Sequence, residues 1–383
     1  MLFRDIVGQQ SVKNRLRLSV REGRVAHAQL FTGQSGVGKL QLAIAYAQYL
    51  ACPNRTEEDA CGQCPTCLQY QKLEHPDLHF AFPIYKEKAG RDSVCDDFIR
   101  PFKKIILEKH YFDFNDWFLA IDAQTKQGVI YEAESSEILR KLSLKSYGNG
   151  FKTMIIWLPE KMHVACANKL LKILEEPPQE TLFLLVSENP DSILTTILSR
   201  CQQLHIPNID EDTIAQALRE EYPDLDVARS FDIAHIAEGS YLKAKKILFE
   251  TEEAAAYRNN FQSLMRNAWL VGKRKKYDAL LDLKKWSDTM AKGQGREAQK
   301  SFLQYVQRQI RENFIRNVGE EELNYQTREE ATFSENFAPF VNVENVEQIM
   351  QQLDLAQRQI EQNGNARIIF FDLCLQMIVL IKN

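Results

Sequence analysis

The chain has 383 residues, 44% of them hydrophobic and 26% charged. At roughly 150 residues per domain this suggests two to three domains, and it excludes a disordered, collagen-like or disulfide-dense chain. The formal charge is −4, from 48 basic against 52 acidic residues, so any DNA contact must come from a local patch rather than bulk charge. No apolar run approaches the ~18 residues of a membrane span. The opening MLFRDIVGQQ has no basic segment followed by an apolar one, so secretion is not expected and a cytoplasmic location is the default.

The first 50 residues read helix, strand, glycine turn, helix. A short apolar strand is predicted over 29–32, the stretch GQSGVGK follows at 33–39, and 40–50 has the spacing of a buried helix. Four of the eight cysteines come next, within 16 residues: Cys52, Cys61, Cys64 and Cys67. Residues 76–128 are rich in aromatics and charge and yield no readable elements. Helical periodicity returns over 135–144. Residues 152–158 (KTMIIWL) and 181–187 (TLFLLVS) read as buried strands. Between them 164–176 reads as a helix, stopped by Pro177 and Pro178. A short helical segment over 193–198 leads to Ser199, Arg200 and Cys201.

Strands alternating with helices predict an α/β fold, a parallel sheet with helices on both faces. After Pro207 the strand signal fades. Residues 210–249 read as three short helices, and long helices with few Gly or Pro follow from about 251. The predicted organisation is an α/β domain over 1–208 with a cysteine insertion at 52–67, a small helical domain over 209–250 and a helical C-terminal domain over 251–383.

Gly33-x4-Gly38-Lys39, with Gly36 inside it, fits the first seven positions of a P-loop. Glycines let several backbone N–H groups point into one concavity and hold phosphate oxygens, and the lysine neutralises the terminal phosphates. Three fixed residues in seven positions arise by chance in roughly one chain in ten. Here a strand precedes and a helix follows, which is the required setting. The eighth position is Leu40 instead of Ser or Thr, so no hydroxyl is offered to Mg²⁺. At the end of the strand over 152–158 stand Pro159 and Glu160, where an active ATPase carries a metal-holding acid. Glu160 itself reads as a helix N-terminal acid before it reads as a base. Three readings stay open: a P-loop fold that does not hydrolyse ATP, an active ATPase, and coincidence. Two separate losses favour the first, and whether nucleotide binds is open.

Cys52-x8-Cys61-x2-Cys64-x2-Cys67 supplies four thiolates in a tight loop, which suits tetrahedral zinc. Free thiols and an iron–sulfur cluster are the competing readings. With four protein ligands no coordination position is open, so the zinc would be structural. Cys95, Cys166, Cys201 and Cys374 read as small buried hydrophobes. His27, His75 and His79 read as structural. The run Lys273-Arg274-Lys275-Lys276, near Trp269 and Tyr277, fits either DNA phosphate or a solvated helix face, and the second is favoured. Residues 368–381, interrupted by Asp372 and Gln376, read as a buried helix.

Taken together, FRDIVGQQ (3–10), HAQLFTGQSGVGK (27–39), the cysteine insertion, NKLLKILEEPP (168–178) and ILSRC (197–201) resemble the AAA+ clamp-loader subunits of bacterial DNA polymerase III, and within them the delta-prime kind. The resemblance covers roughly residues 1–250. It implies an AAA+ P-loop domain, a helical lid and an all-helical collar that holds a hetero-pentamer with gamma/tau and delta subunits. It implies work on a sliding clamp and primed DNA, and no membrane. Related motor subunits of the gamma/tau type carry an intact ATP site and a Gly-Ser-x-Arg stretch. The corresponding residues here are Gly239-Ser240-Tyr241-Leu242, without the arginine. The resemblance therefore implies a subunit that does not hydrolyse ATP. It also implies that Arg200 reaches a neighbour's ATP as an arginine finger, with Ser199 and Cys201 positioning it. In GTPases such a trans arginine is worth roughly 10³ to 10⁵ in rate. The alternatives are a gamma/tau-type motor that tolerates Leu40, and a zinc-dependent nucleic-acid-binding protein.

Overall fold

The computed structural model of the chain describes residues 1–86, 93–147, 150–249, 252–293, 295–320 and 323–381. The boundary expected at 250/251 lies outside the described residues. The chain divides into two compact units, one of residues 1–123 and 127–245, the other of residues 124–126 and 246–383.

The first unit is built on five strands: β1 (Ala28–Thr32), β2 (Leu78–Ala81), β3 (Lys152–Trp157), β4 (Thr181–Ser187) and β5 (Gln202–His205). They form one sheet in the order β2-β3-β4-β1-β5, and every pairing is parallel. Every residue of β1, β3 and β4 is buried. That explains their continuous apolar runs, because a parallel sheet covered on both faces has no solvent side to alternate with. The register sets Thr32 beside Ser187 and Ile155 beside Leu184. The ends of β1 and β4 are thus neighbours, and whatever follows each strand shares one end of the sheet.

Helices α1 (Gln10–Arg21), α2 (Lys39–Ala51), α3 (Pro65–Gln71), α4 (Ile99–Lys109), α5 (Phe114–Ala120), α6 (Glu132–Ser143), α7 (Val164–Glu175) and α8 (Thr195–Leu198) surround the sheet. Twelve residues of α2, Lys39 to Leu50, are buried, so it is a central helix, hydrophobic on all sides. Three helices follow the sheet: α9 (Glu211–Glu221), α10 (Val227–Ile236) and α11 (Tyr241–Leu248). Asp210 and Asp226 cap the first two, accepting from Thr213 N and Arg229 N.

The unreadable segment 76–128 turns out to be core. It supplies β2, α4 and α5 and an aromatic cluster. Phe82 stacks on Phe102 with centroids 3.8 Å apart, and Trp117 meets both rings edge-on. Trp117 donates its indole N–H to Pro83 O at 2.8 Å. Short elements joined by long-range ring contacts leave no periodicity to read.

The second unit is helical: α12 (Glu252–Gly272), α13 (Asp278–Gly293), α14 (Arg296–Val318), α15 (Arg328–Phe337), α16 (Val346–Glu361) and α17 (Ala366–Leu380). Its own core contains Phe261, Leu283, Phe302, Leu353 and Phe370. The basic run 273–276 is not a helix face. It forms the turn between α12 and α13, where Lys275 adopts a positive φ and the Arg274 guanidinium lies 5.2 Å from the Trp269 ring centroid. Helix α17 is buried on one side through Ile369, Phe370, Leu373 and Met377, yet Ile368, Leu375 and Val379 face solvent.

Candidate functional site: the phosphate loop, the thiol cluster and Arg200

The stretch 33–39 lies between β1 and α2, as a P-loop must. Gly38 caps α2 with a φ of 92°, a left-handed conformation in which glycine avoids the Cβ penalty. The loop's concavity is narrowed by the rest of the same unit. Tyr241 N donates to Gly36 O at 3.1 Å, which lays the start of α11 on the loop. Gly36 has a φ of 80°, and a Cβ there would lie 2.2 Å from Ser240 Oγ and 2.6 Å from Leu242 Cβ. Tyr111 closes another side. Its hydroxyl accepts from Val7 N at 3.1 Å, and its ring meets Tyr241 edge-on. The cavity that Gly36, Gly38 and Lys39 share with Tyr111, Trp157 and Glu188 is only about 20 Å³. That volume is about one water's.

Lys39 is 4% exposed and donates back to Gln34 O within its own loop. Burial pushes its ammonium below the ordinary lysine value, against the pull of the Glu188 and Glu160 carboxylates. Leu40 is buried in the core and lines the small cavity, offering carbon where a metal-ligating oxygen is needed. Glu160 is the first-turn acid of a helix, though a short 3-10 one, Pro159–Lys161. Its Oε1 accepts from Glu188 N at 2.9 Å and Asn189 N at 3.2 Å. It therefore ties the end of β3 to the end of β4. Glu188 and Tyr111 are the site residues that the sequence did not reveal. Glu188 directly follows β4, the strand beside the loop strand, and that position was the available signal. Tyr111 lies in the unreadable segment.

The four cysteines come together. Cys52 follows α2, Cys64 caps α3, Cys67 lies within α3, and Cys61 stands in the loop between the two helices. Their Sγ atoms all lie within 4.8 Å of one another. The pairs Cys52–Cys61, Cys52–Cys64 and Cys61–Cys67 are 3.6, 3.9 and 3.8 Å apart. Zinc–sulfur bonds of about 2.3 Å in a tetrahedron place the sulfurs about 3.8 Å apart, so the donors fit one zinc-sized ion. A multi-iron cluster spreads its thiolates wider because several metal atoms lie between them. Backbone amides also point at sulfur: Cys61 N to Cys52 Sγ at 3.4 Å, Cys64 N to Cys61 Sγ at 3.3 Å, Cys67 N to Cys64 Sγ at 3.4 Å. Amides of Gln63 and Cys64 draw the Cys61 thiol down to about 6, whereas burial pushes Cys67 up to about 12. Four such thiols could hold zinc. His75 instead packs its ring against Tyr70, with centroids 4.6 Å apart.

Arg200 lies just past α8. Its Nε and Nη2 donate to Glu175 Oε2 at 3.1 and 2.9 Å, and its Nη1 donates to Thr196 O at 2.9 Å. Ser199 Oγ donates to the same Thr196 carbonyl at 3.2 Å. Cys201 is buried, and burial pushes its thiol up to about 11. The three residues adjoin in space, with Arg200 at the surface between a capping hydroxyl and a buried anchor.

A parallel sheet, a P-loop between β1 and α2, and three following helices define an AAA+ type of protein. The profile of the family described as "DNA polymerase III, delta subunit" matches residues 8–210, and the chain belongs to that family. It is 29% identical to DNA polymerase III subunit delta' of Bacillus subtilis over 215 residues, 56% of this chain and 52% of that protein. It is 27% identical to the delta' subunit of Yersinia pestis over 252 residues, 64% of this chain and 59% of that one. Against subunit tau/gamma of Haemophilus influenzae the identity is 29% over 219 residues, 56% of this chain and 25% of that protein. The chain thus spans between a quarter and about three fifths of these relatives' length. Among solved structures, a gamma subunit-related protein of Thermotoga maritima aligns with 98% of this chain and 100% of its own, at 15% identity and a TM-score of 0.38. Among the described residues no helix is long and apolar enough to cross a membrane.

Proposed function

We propose that this chain is a non-catalytic subunit of the bacterial replicative clamp loader, working beside gamma/tau and delta subunits to place a sliding clamp on primed DNA. The observation that carries the reading is the narrow phosphate loop: a cavity of about 20 Å³ beside a lysine bonded to its own loop, with Leu40 at the metal position. An ATPase needs an open site for the triphosphate and its Mg²⁺. The family match and the delta' relatives support the setting.

In this reading Arg200 acts in trans. A guanidinium at the surface, already paired with a carboxylate oxygen of Glu175, can exchange that partner for a neighbour's phosphate oxygens, because both are anionic acceptors of the same fork. Ser199 and Cys201 hold its backbone. The thiol cluster is a structural zinc site that fixes the loop from 52 to 67. Residues 1–208, 209–250 and 251–383 serve as P-loop-like, lid and collar domains in a cytoplasmic hetero-pentamer. The exposed Ile368, Leu375 and Val379 of α17 suit a partner helix in the collar.

The test is a paired ATPase assay. The chain is assayed alone, then assembled with gamma/tau and delta subunits, clamp and primed DNA. No turnover alone, with Arg200-dependent turnover in the complex, is expected. Robust turnover alone, abolished by Lys39→Ala, would instead identify a gamma/tau-type motor.

A further inference from the structure

The chain opens on a single 3-10 turn, Phe3–Asp5, which is too short to hold itself in place. Partners elsewhere in the same unit hold it. Phe3 N and Arg4 N donate to the two carboxylate oxygens of Asp59, at 3.1 and 3.0 Å. Val7 N donates to the Tyr111 hydroxyl at 3.1 Å. Asp59 belongs to the cysteine insertion, where Thr56 fixes it. Thr56 N donates to Asp59 O at 2.8 Å, and Asp59 N donates to Thr56 Oγ1 at 3.0 Å. Cys61 stands two residues further on. On its other side, a Cβ at Gly62 would lie 3.3 Å from Leu2 Cδ1 and 3.4 Å from Arg4 Nη2. The insertion thus meets the N-terminal segment on both sides of one thiol of the cluster. Residues Arg4 to Gly8 of that segment line a cleft of about 640 Å³ with Tyr111, α9 and α11.

We propose that the cysteine insertion is a metal-dependent clasp on the N-terminal segment, with Asp59 as its hook, so that metal occupancy sets one wall of this cleft. Between α2 and α3 residues 53–58 run as exposed turns and bends. Such a loop takes its order chiefly from the bonds at the thiols, because metal binding is coupled to local folding. Thiolates gathered on one ion fix Cys61, and Asp59 and Gly62 take their positions from it. Without the ion the two carboxylate oxygens are no longer held under the amides of Phe3 and Arg4. Hydrogen bonds to a carboxylate are among the stronger ones, so their loss is readable. The Phe3 ring stays anchored, fully buried with its centroid 5.6 Å from that of Tyr49, so release loosens the segment's backbone rather than detaching it. The inference rests on the reading of the cluster as a zinc site, and it names what that site holds beyond its own loop.

The experiment is hydrogen exchange by mass spectrometry on the full chain, with zinc content measured in parallel. It compares wild type as purified, wild type after EDTA, that sample after zinc is returned, Asp59→Ala, and Asp59→Ala after EDTA. Asp59→Asn, which keeps one carbonyl acceptor, replaces Asp59→Ala where the latter does not fold or does not hold zinc, and should show the same change to a smaller degree. The expected result is roughly tenfold or more faster exchange at the amides of residues 3–7 after EDTA, reversed by zinc, with β1 and β4 unchanged. Asp59→Ala should show that acceleration with zinc still bound, and EDTA should add little to it at these amides. Unchanged exchange over residues 3–7 once the zinc has left would overturn the proposal and spare the zinc site. Equal acceleration by EDTA in Asp59→Ala and wild type would overturn it too, because the link would then run by another route. So would loss of protection through β1 and β4, which would mean that the whole unit unfolds. Protein that holds no zinc as purified sinks the zinc reading itself, and the proposal with it.

Discussion

The amide of Tyr241 donates to the carbonyl of Gly36 at 3.1 Å, so the start of helix α11 and the middle of the phosphate loop are one hydrogen-bonded unit. Gly36→Ala should break it. The new Cβ meets Ser240 Oγ at 2.2 Å in a backbone with a φ of 80°. The left-handed penalty alone is about 1–2 kcal/mol. Thermal melting is expected to fall by at least ~2–4 °C, with faster amide exchange at Tyr241. An unchanged transition and unchanged exchange would mean that α11 does not press on the loop.

Arg200 and Glu175 form a surface pair, the arginine side chain 29% and the carboxylate 60% exposed. Such pairs contribute little to stability, typically ~0–1 kcal/mol. Arg200→Ala should leave the unfolding midpoint near wild type while slowing turnover by the assembled complex roughly 10³-fold or more. Arg200→Lys should not restore it, because an ammonium cannot reproduce the planar fork. Full turnover in the complex of either variant would remove Arg200 from the reaction.

The thiol cluster predicts one zinc per chain by elemental analysis. Chelation, or Cys64→Ser, should raise hydrogen exchange across residues 52–71 and leave the strands of the sheet protected, since metal binding is coupled to local folding. Iron, or no metal, in protein purified without chelator would count against the site.

Trp117 is fully buried, donates to Pro83 O and meets Phe82 and Phe102. Trp117→Ala should cost about 3–5 kcal/mol by denaturant unfolding, and Trp117→Phe clearly less. A loss below about 1 kcal/mol would show that segment 76–128 is not part of the core.

Lys13 is 5% exposed and donates to Ile6 O at 2.6 Å. Burial, with help from Arg17, lowers its pKa from 10.5 to about 8. Between those values the unfolded chain holds a proton that the native chain has released, so stability from this group rises with pH. The gain from pH 8 to 10.5 is at most about 3 kcal/mol. Urea melts of wild type minus Lys13→Met should show that rise, and a flat difference would contradict it.

The α/β class, the strands β1, β3 and β4, the loop at 33–39, the thiol cluster and the three helices after Pro207 were legible because each is local: a run, a spacing or a breaker. Short β2 and helices α4 and α5 were not. Their stability comes from aromatic contacts between residues far apart in sequence, and the same holds for Tyr111. The basic run 273–276 looked like a helix face because charge shows in sequence, whereas a positive φ at Lys275 does not.

By itself the sequence determined that a P-loop pattern is present and lacks its metal-binding hydroxyl, since both facts are residue identities at fixed spacing. Only the tertiary structure decided what packs against that loop. The start of α11, Tyr111 and Glu188 reach it from 72 to 205 residues away along the chain. Parallel strand register and helix packing bring them there, and those are properties of the assembled sheet rather than of any segment.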